Sequence, residues 1–215
     1  MVFLAVMAFL MPAPVLAHPH VFIDTALEVI FDDGGRASAI RITWTYDELY
    51  SLLIIEDRGL DTDYDMVLTA EETARLQGFD MDWDEGYPGD TYALWGDRPV
   101  ELGPPSDWTA KYEDGKIIST HLRKLAVPVD PVAEPLVLQA YDPSFYVAYT
   151  IVGVPGLTGR DDCAVQVFEP DQDAADAILK SALEELNGSD SIEGEFPPVG
   201  AAFSDEARVT CAARS

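Results

Sequence analysis

Between residues 21 and 31 the chain alternates with a period of two: Val21, Ile23, Leu27, Val29 and Phe31 are apolar, while Asp24 and Glu28 fall on the other parity. Successive side chains of a strand point to opposite faces, so this run reads as a half-buried strand and not as a helix. Asp32-Asp33-Gly34-Gly35 supplies a turn, and Ile40, Ile42 and Trp44 then alternate with Arg41 and Thr43 in a returning strand. A hairpin with one apolar face needs other elements to cover it, and that requirement governs how the rest of the sequence is read.

Thr45 and Glu48 have capping-box spacing, and Leu49, Leu52 and Leu53 predict a helical apolar face that ends at Gly59. A second short helix is predicted near Thr69. Residues 80–115, rich in Asp, Gly, Pro and aromatics, read as loops around a sheet edge with short strands at 91–94 and 108–112. Strands are predicted at 116–127, 136–141, 145–152 and 164–168. Asp171 caps a helix to residue 186, with Ala175, Ile178, Leu179, Ala182, Leu183 and Leu186 on one face. A polar linker at 187–198 precedes an edge strand at 207–212. The expected fold is α+β: a mainly antiparallel sheet with an N-terminal hairpin, an inserted helix–acidic-loop–helix (58–80) and a C-terminal helix.

Residues 1–16 carry no charge, residues 2–11 are continuously apolar, and Val15-x-Ala17 has the small residues of a cleavage site. Residues 1–17 are therefore expected to be a secretory signal, leaving 18–215 as a single periplasmic domain. A Lys/Arg n-region is missing from it. A membrane anchor fits less well, because Pro12 and Pro14 interrupt a span that needs about 20 apolar residues. No stable membrane insertion is expected after signal removal. The 39 acidic and 13 basic residues give a formal charge of −26, all of it beyond the leader. Such a surface excludes nucleic acid as a partner, disfavours anionic membranes and concentrates cations. Cys163 and Cys211, the only cysteines, are expected to pair after export. Thiolate metal ligation is the competing assignment, and it lacks a C-x-x-C pair.

Cleavage after Ala17 would leave His18 with a free α-amine beside its own imidazole, and His20 would add a third nitrogen. Donors of this kind suit zinc, copper or nickel. Pro19 has no amide proton to lose, which disfavours square-planar X-X-His binding. Chelation by His18 would instead be completed by His20, or by Asp24 or His121 if the fold brings them near. His121 lies on the parity opposite to Ile118, Thr120 and Leu122, so the expectation is a polar-face strand histidine.

The twelve residues 61–72 match the EF-hand loop at most ligand positions. Asp61, Asp63 and Asp65 would offer monodentate oxygens, Val67 its carbonyl, Thr69 a direct or water-mediated oxygen, and Glu72 a bidentate clamp for Ca²⁺. Leu68 is the apolar anchor. Met66 stands where the turn calls for glycine, at a cost of about 1–2 kcal/mol for left-handed geometry. Asp80, Asp82 and Asp84 repeat the alternation without a clamping glutamate. No Ser-His-Asp set, activated cysteine or phosphate loop emerges, so no enzyme activity is expected.

These landmarks, taken in order, resemble a bacterial family of unknown function labelled the periplasmic component of an uncharacterised ABC-type transport system. They are Ala17-His18-Pro19-His20-Val21-Phe22, Thr43-Trp44-Thr45-Tyr46-Asp47-Glu48-Leu49, the acidic loop 61–72, Tyr141-Asp142-Pro143-Ser144-Phe145-Tyr146 and the end around Cys211. The resemblance implies a periplasmic protein often encoded beside a nickel/cobalt-exporter-like permease, with one branch linked to zinc. Its histidine motif falls on His18 and His20, and its calcium-loop pattern on Asp61, Asp63, Asp65 and Glu72. The expected function is that of a metal-binding accessory protein, zinc first, with nickel, cobalt or copper as alternatives, serving an inner-membrane metal permease. A calcium-stabilised acidic adaptor for a membrane partner is the rival, and a copper redox enzyme is a third option.

Overall fold

In a computed structural model, which describes residues 19–187 and 198–213, the hairpin is formed by β1 (Val21–Phe31) and β2 (Ala37–Tyr46). Leu27 lies opposite Ile42 and Val29 opposite Ile40, so their apolar rows share one face. The Asp32 carboxylate closes the turn by accepting the Arg36 N–H at 2.9 Å, and Gly35 adopts a positive φ of 72°.

β2 pairs on its other side with the long strand β6 (Lys116–Val129), which in turn pairs with β5 (Ser106–Glu113). The free edge of β1 receives β8 (Val147–Ile151) and β9 (Gly156–Thr158), both parallel to it. The sheet is mainly antiparallel, as expected, and this edge is its parallel part. Its cause lies in the turn before β8, where the Asp142 carboxylate accepts the N–H groups of Ser144, Tyr146 and Val147, and Phe145 takes a positive φ of 55°. This turn launches the chain alongside β1 instead of back against its neighbour.

The second sheet is antiparallel throughout, with the order β10 (Cys163–Phe168), β11 (Glu206–Cys211), β7 (Leu136–Ala140), β3 (Thr91–Trp95), β4 (Arg98–Val100). The sequence placed the last strand at an edge; it lies between β10 and β7. Apolar pattern alone reports that Ala207 and Val209 are buried, not which neighbours bury them. Ile40, Ile42 and Val29 from the first sheet and Leu136, Leu138 and Val209 from the second are fully buried members of one apolar cluster. Cys163 and Cys211 face each other across β10 and β11 and form a disulfide. The fold is α+β, and no helix among the described residues is long and apolar enough to cross a membrane.

Helix α1 (Glu48–Asp57) begins two residues later than expected: β2 runs on through Tyr46, and Asp47, not Thr45, caps it by accepting the Tyr50 N–H at 2.8 Å. Its packing face is also different. Leu49, Leu52 and Leu53 are exposed, whereas Ser51 and Ile55 are buried. Ser51 can lie flush on β6 because its hydroxyl accepts the Ile117 N–H at 2.9 Å, a contact a leucine could not make. Helix α2 (Ala70–Leu76) follows the acidic loop, and α3 (Gln172–Asn187) starts at Asp171, whose carboxylate accepts the Ala174 N–H. Ala175 and Leu179 are buried on α3, but Ile178 is half exposed, so its covered stripe is narrower than expected.

Candidate functional site

The acidic loop places the carboxylate oxygens of Asp61, Asp63 and Asp65 within 4.8 Å of one another. Backbone geometry gathers them: Asp61 accepts the N–H groups of Asp65 (3.0 Å) and Met66 (3.1 Å), and Asp65 accepts that of Val67. Met66 adopts φ 63°, the left-handed conformation that glycine would take without strain. None of the ion pairs among the described residues involves these three aspartates.

Glu72 stands apart from that group. It forms a capping box with Thr69, receiving the Thr69 N–H at 2.9 Å and hydroxyl at 2.8 Å, while its other oxygen accepts the Asp61 N–H at 3.0 Å. The Thr69 N–H leads the bonds that hold its carboxyl below the usual glutamate range. The aspartate oxygens fit a hard cation; the clamp is engaged in joining the loop to α2. Replacing Met66 by glycine is expected to stabilise the protein by about 1 kcal/mol through relief of the left-handed backbone, read as a rise in Tm. An unchanged or lower Tm would show that the loop does not carry that strain.

At the N-terminal end, His18 and the leader lie outside the described residues, as does most of the 187–198 linker. His20 is exposed, its N–H donates to the Tyr146 carbonyl at 2.8 Å, and its ring lies 4.8 Å from that of Tyr146. Asp24 is also exposed, on the outer face of β1. His121 is on the opposite, inner face of the sheet and fully buried, across from Ile42 and flanked by Ser119 and Arg123. The polar-face expectation for His121 is therefore corrected: the row that looked polar faces inward. It can do so because Ser119 donates to Asp80, and Arg123 donates to the carbonyls of Gly103, Pro88 and Leu102.

The imidazole of His121 packs edge-on to Trp44 (4.7 Å) and Trp83 (5.6 Å), and neither ring nitrogen has a hydrogen-bond partner in the protein. Burial, with Arg123 nearby, pushes its pKa down to about 3, so it is neutral throughout the physiological range. Asp24 and His121 lie on opposite faces of one sheet, which separates His121 from the exposed His20 side.

The sequence reading missed a pocket of about 220 Å³ bounded by Trp44, Tyr46 and Tyr50, by Trp83 and Tyr87, and by Tyr149. Two carboxylates enter it. Asp80 accepts the Tyr46 hydroxyl at 2.8 Å and the Ser119 hydroxyl at 2.5 Å; Asp90 accepts those of Tyr87 at 2.6 Å and Tyr149 at 2.8 Å. Burial raises the pKa of both acids, and raises those of Tyr46 and Tyr149 still further above the usual phenol range. A wider cleft of about 810 Å³ adjoins it and shares Trp83 and Tyr87. The detectable signal was the alternation Ser119, His121, Arg123 opposite Ile40, Ile42 and Trp44, which becomes informative only when the register is known.

In comparisons with known proteins, the family described as "Protein of unknown function (DUF1007)" matches residues 3–211. No curated protein matched the chain.

Proposed function

Because the chain belongs to the DUF1007 family, whose description names no activity, we propose a function from its side chains: a periplasmic accessory protein that binds a divalent transition metal, zinc first, for an inner-membrane permease. The observation that carries this reading is the placement of His20. Its backbone is pinned to Tyr146 where β1 and β8 begin, its ring is exposed, and the chain's two other N-terminal donors belong to His18, two residues earlier. An exposed histidine at the start of a sheet strand suits exchange with a partner better than closed, structural coordination does. Export through residues 1–17 would create the α-amine, and the disulfide fits an oxidising compartment. The role is one of binding, without catalysis.

The amine and imidazoles must shed protons before they ligate, and reference groups do so between about 6.5 and 8. Affinity is thus greatest above that window and falls as pH drops through it. Protein beginning at His18, titrated with zinc in excess calcium to saturate the acidic loop, is expected to bind at least about 100-fold more weakly at pH 5.5 than at pH 8. Affinity that is independent of pH, or unaltered in His20→Ala, would overturn the assignment.

A second reading rests on a separate observation, the convergence of Asp61, Asp63 and Asp65. Under it the protein is a calcium-stabilised acidic adaptor for a membrane partner. A Tm that rises with calcium, in a protein that does not bind zinc, would favour that reading.

A further inference from the structure

We propose that the pocket between Trp44 and Trp83, lined also by the carboxylates of Asp80 and Asp90, is a binding site for a small organic ammonium cation. Its walls are aromatic: Trp44, Tyr46 and Tyr149 are buried, Trp83 and Tyr50 are half-buried, and Tyr87 is partly exposed. Aromatic faces attract organic cations through their quadrupoles, and do so most strongly where water is excluded.

The carboxylates supply the second half of the recognition. One oxygen of Asp80 is occupied by the hydroxyls of Tyr46 and Ser119, but Oδ1 is buried and has no hydrogen-bond partner in the protein. An orphan buried acceptor of this kind is costly, and an N–H donor entering the pocket beside Asp80 would relieve it. No ion pair among the described residues engages Asp80 or Asp90. Arg123, the nearby cation, directs its N–H groups to three backbone carbonyls and stacks its guanidinium 5.0 Å from the Trp83 ring centre. Burial opposes charge on both acids; Arg58 offsets this only in part at Asp80, and an entering cation would add counter-charge at both.

Size and donor type narrow the class. A volume of 220 Å³ corresponds to about seven waters of liquid, enough for an ammonium headgroup or a short alkylamine. An anion is excluded by the paired acids. The grouping of three carboxylates that could hold a bare metal ion is, among the described residues, in the acidic loop instead. The rim includes Tyr146, which is 49% exposed, so a ligand can enter past the same residue that borders His20.

The test uses the purified protein with EDTA present, which removes metal from the histidines and the acidic loop and keeps this outcome separate from the metal reading. Choline chloride and n-butylammonium chloride are titrated while indole fluorescence and the tryptophan indole N–H resonances are followed, against sodium chloride at equal ionic strength. The expected result is a saturable change at the Trp44 and Trp83 signals with n-butylammonium, whose N–H groups choline lacks, and at least tenfold weaker n-butylammonium binding in Asp80→Asn. A response no different from that of sodium overturns the proposal, as does a folded Asp80→Asn protein that binds as tightly as the wild type. If Asp80→Asn fails to fold, Asp90→Asn and the wild-type resonances decide: shifts confined to residues outside the pocket overturn it.

Discussion

Replacing Cys163 and Cys211 together by alanine is expected to lower the unfolding free energy by about 4 kcal/mol, the chain-entropy value for opening a loop of this size. The two residues are 48 positions apart and directly opposed at the end of β10 and β11. Several bonds converge on the same end: Cys211 N–H donates to the Pro131 carbonyl, Ala212 N–H to that of Asp162, and the buried Arg160 guanidinium to the Ala212 carbonyl. They keep the tail ordered once folded, but they do nothing to limit the unfolded chain, which is where the cross-link acts. Urea unfolding of the double variant beside the wild type, each with and without reductant, measures the effect. Equal midpoints for oxidised wild type and variant would show that the bridge contributes nothing.

The second large effect is expected at Gly200. A Cβ built there would lie 1.7 Å from the carbonyl oxygen of Asp142, an overlap that rotation of a side chain cannot relieve because both partners are backbone. Gly200 N–H also donates to the Pro143 carbonyl at 3.0 Å, fastening the short 3₁₀ turn Gly200–Phe203 to the turn that launches β8. Gly200→Ala must separate the two, with a loss of about 3 kcal/mol. Gly153→Ala is the comparison: its Cβ would meet nothing within 4 Å, and only its positive φ of 70° is penalised, by about 1 kcal/mol. Thermal unfolding of the two variants ranks them, and equal losses would refute the steric account.

The features legible in the sequence were those that depend on near neighbours. The alternation from Val21 to Phe31 survives as a buried/exposed alternation, a short helix starts after Thr69, Asp171 starts α3, and Met66 takes the left-handed backbone its position requires. What failed to show were choices made by distant partners. Leu49, Leu52 and Leu53 have helical spacing, yet a serine faces the sheet because Ile117 needs an acceptor for its N–H. His121 looked polar-facing because the inward row of β6 is itself polar, and it is polar because Asp80 and three carbonyls await it from other segments. The pocket draws its walls from residues 21–23, 44–50, 80–90 and 146–149, four stretches that read separately as strand, strand running into helix, loop and strand. Asp80 looked like one member of an acidic alternation with Asp82 and Asp84; only the hydroxyls of Tyr46 and Ser119 single it out.

The location of β11 bears on when the protein can acquire its structure. Residues 206–211 fill the slot between β10 and β7, strands that come earlier in the chain and remain unjoined without it. The second sheet therefore stays open until residues 206–211 are in place. A chain truncated before residue 206 is expected to leave the facing edges of β10 and β7 unpaired and exposed to aggregation.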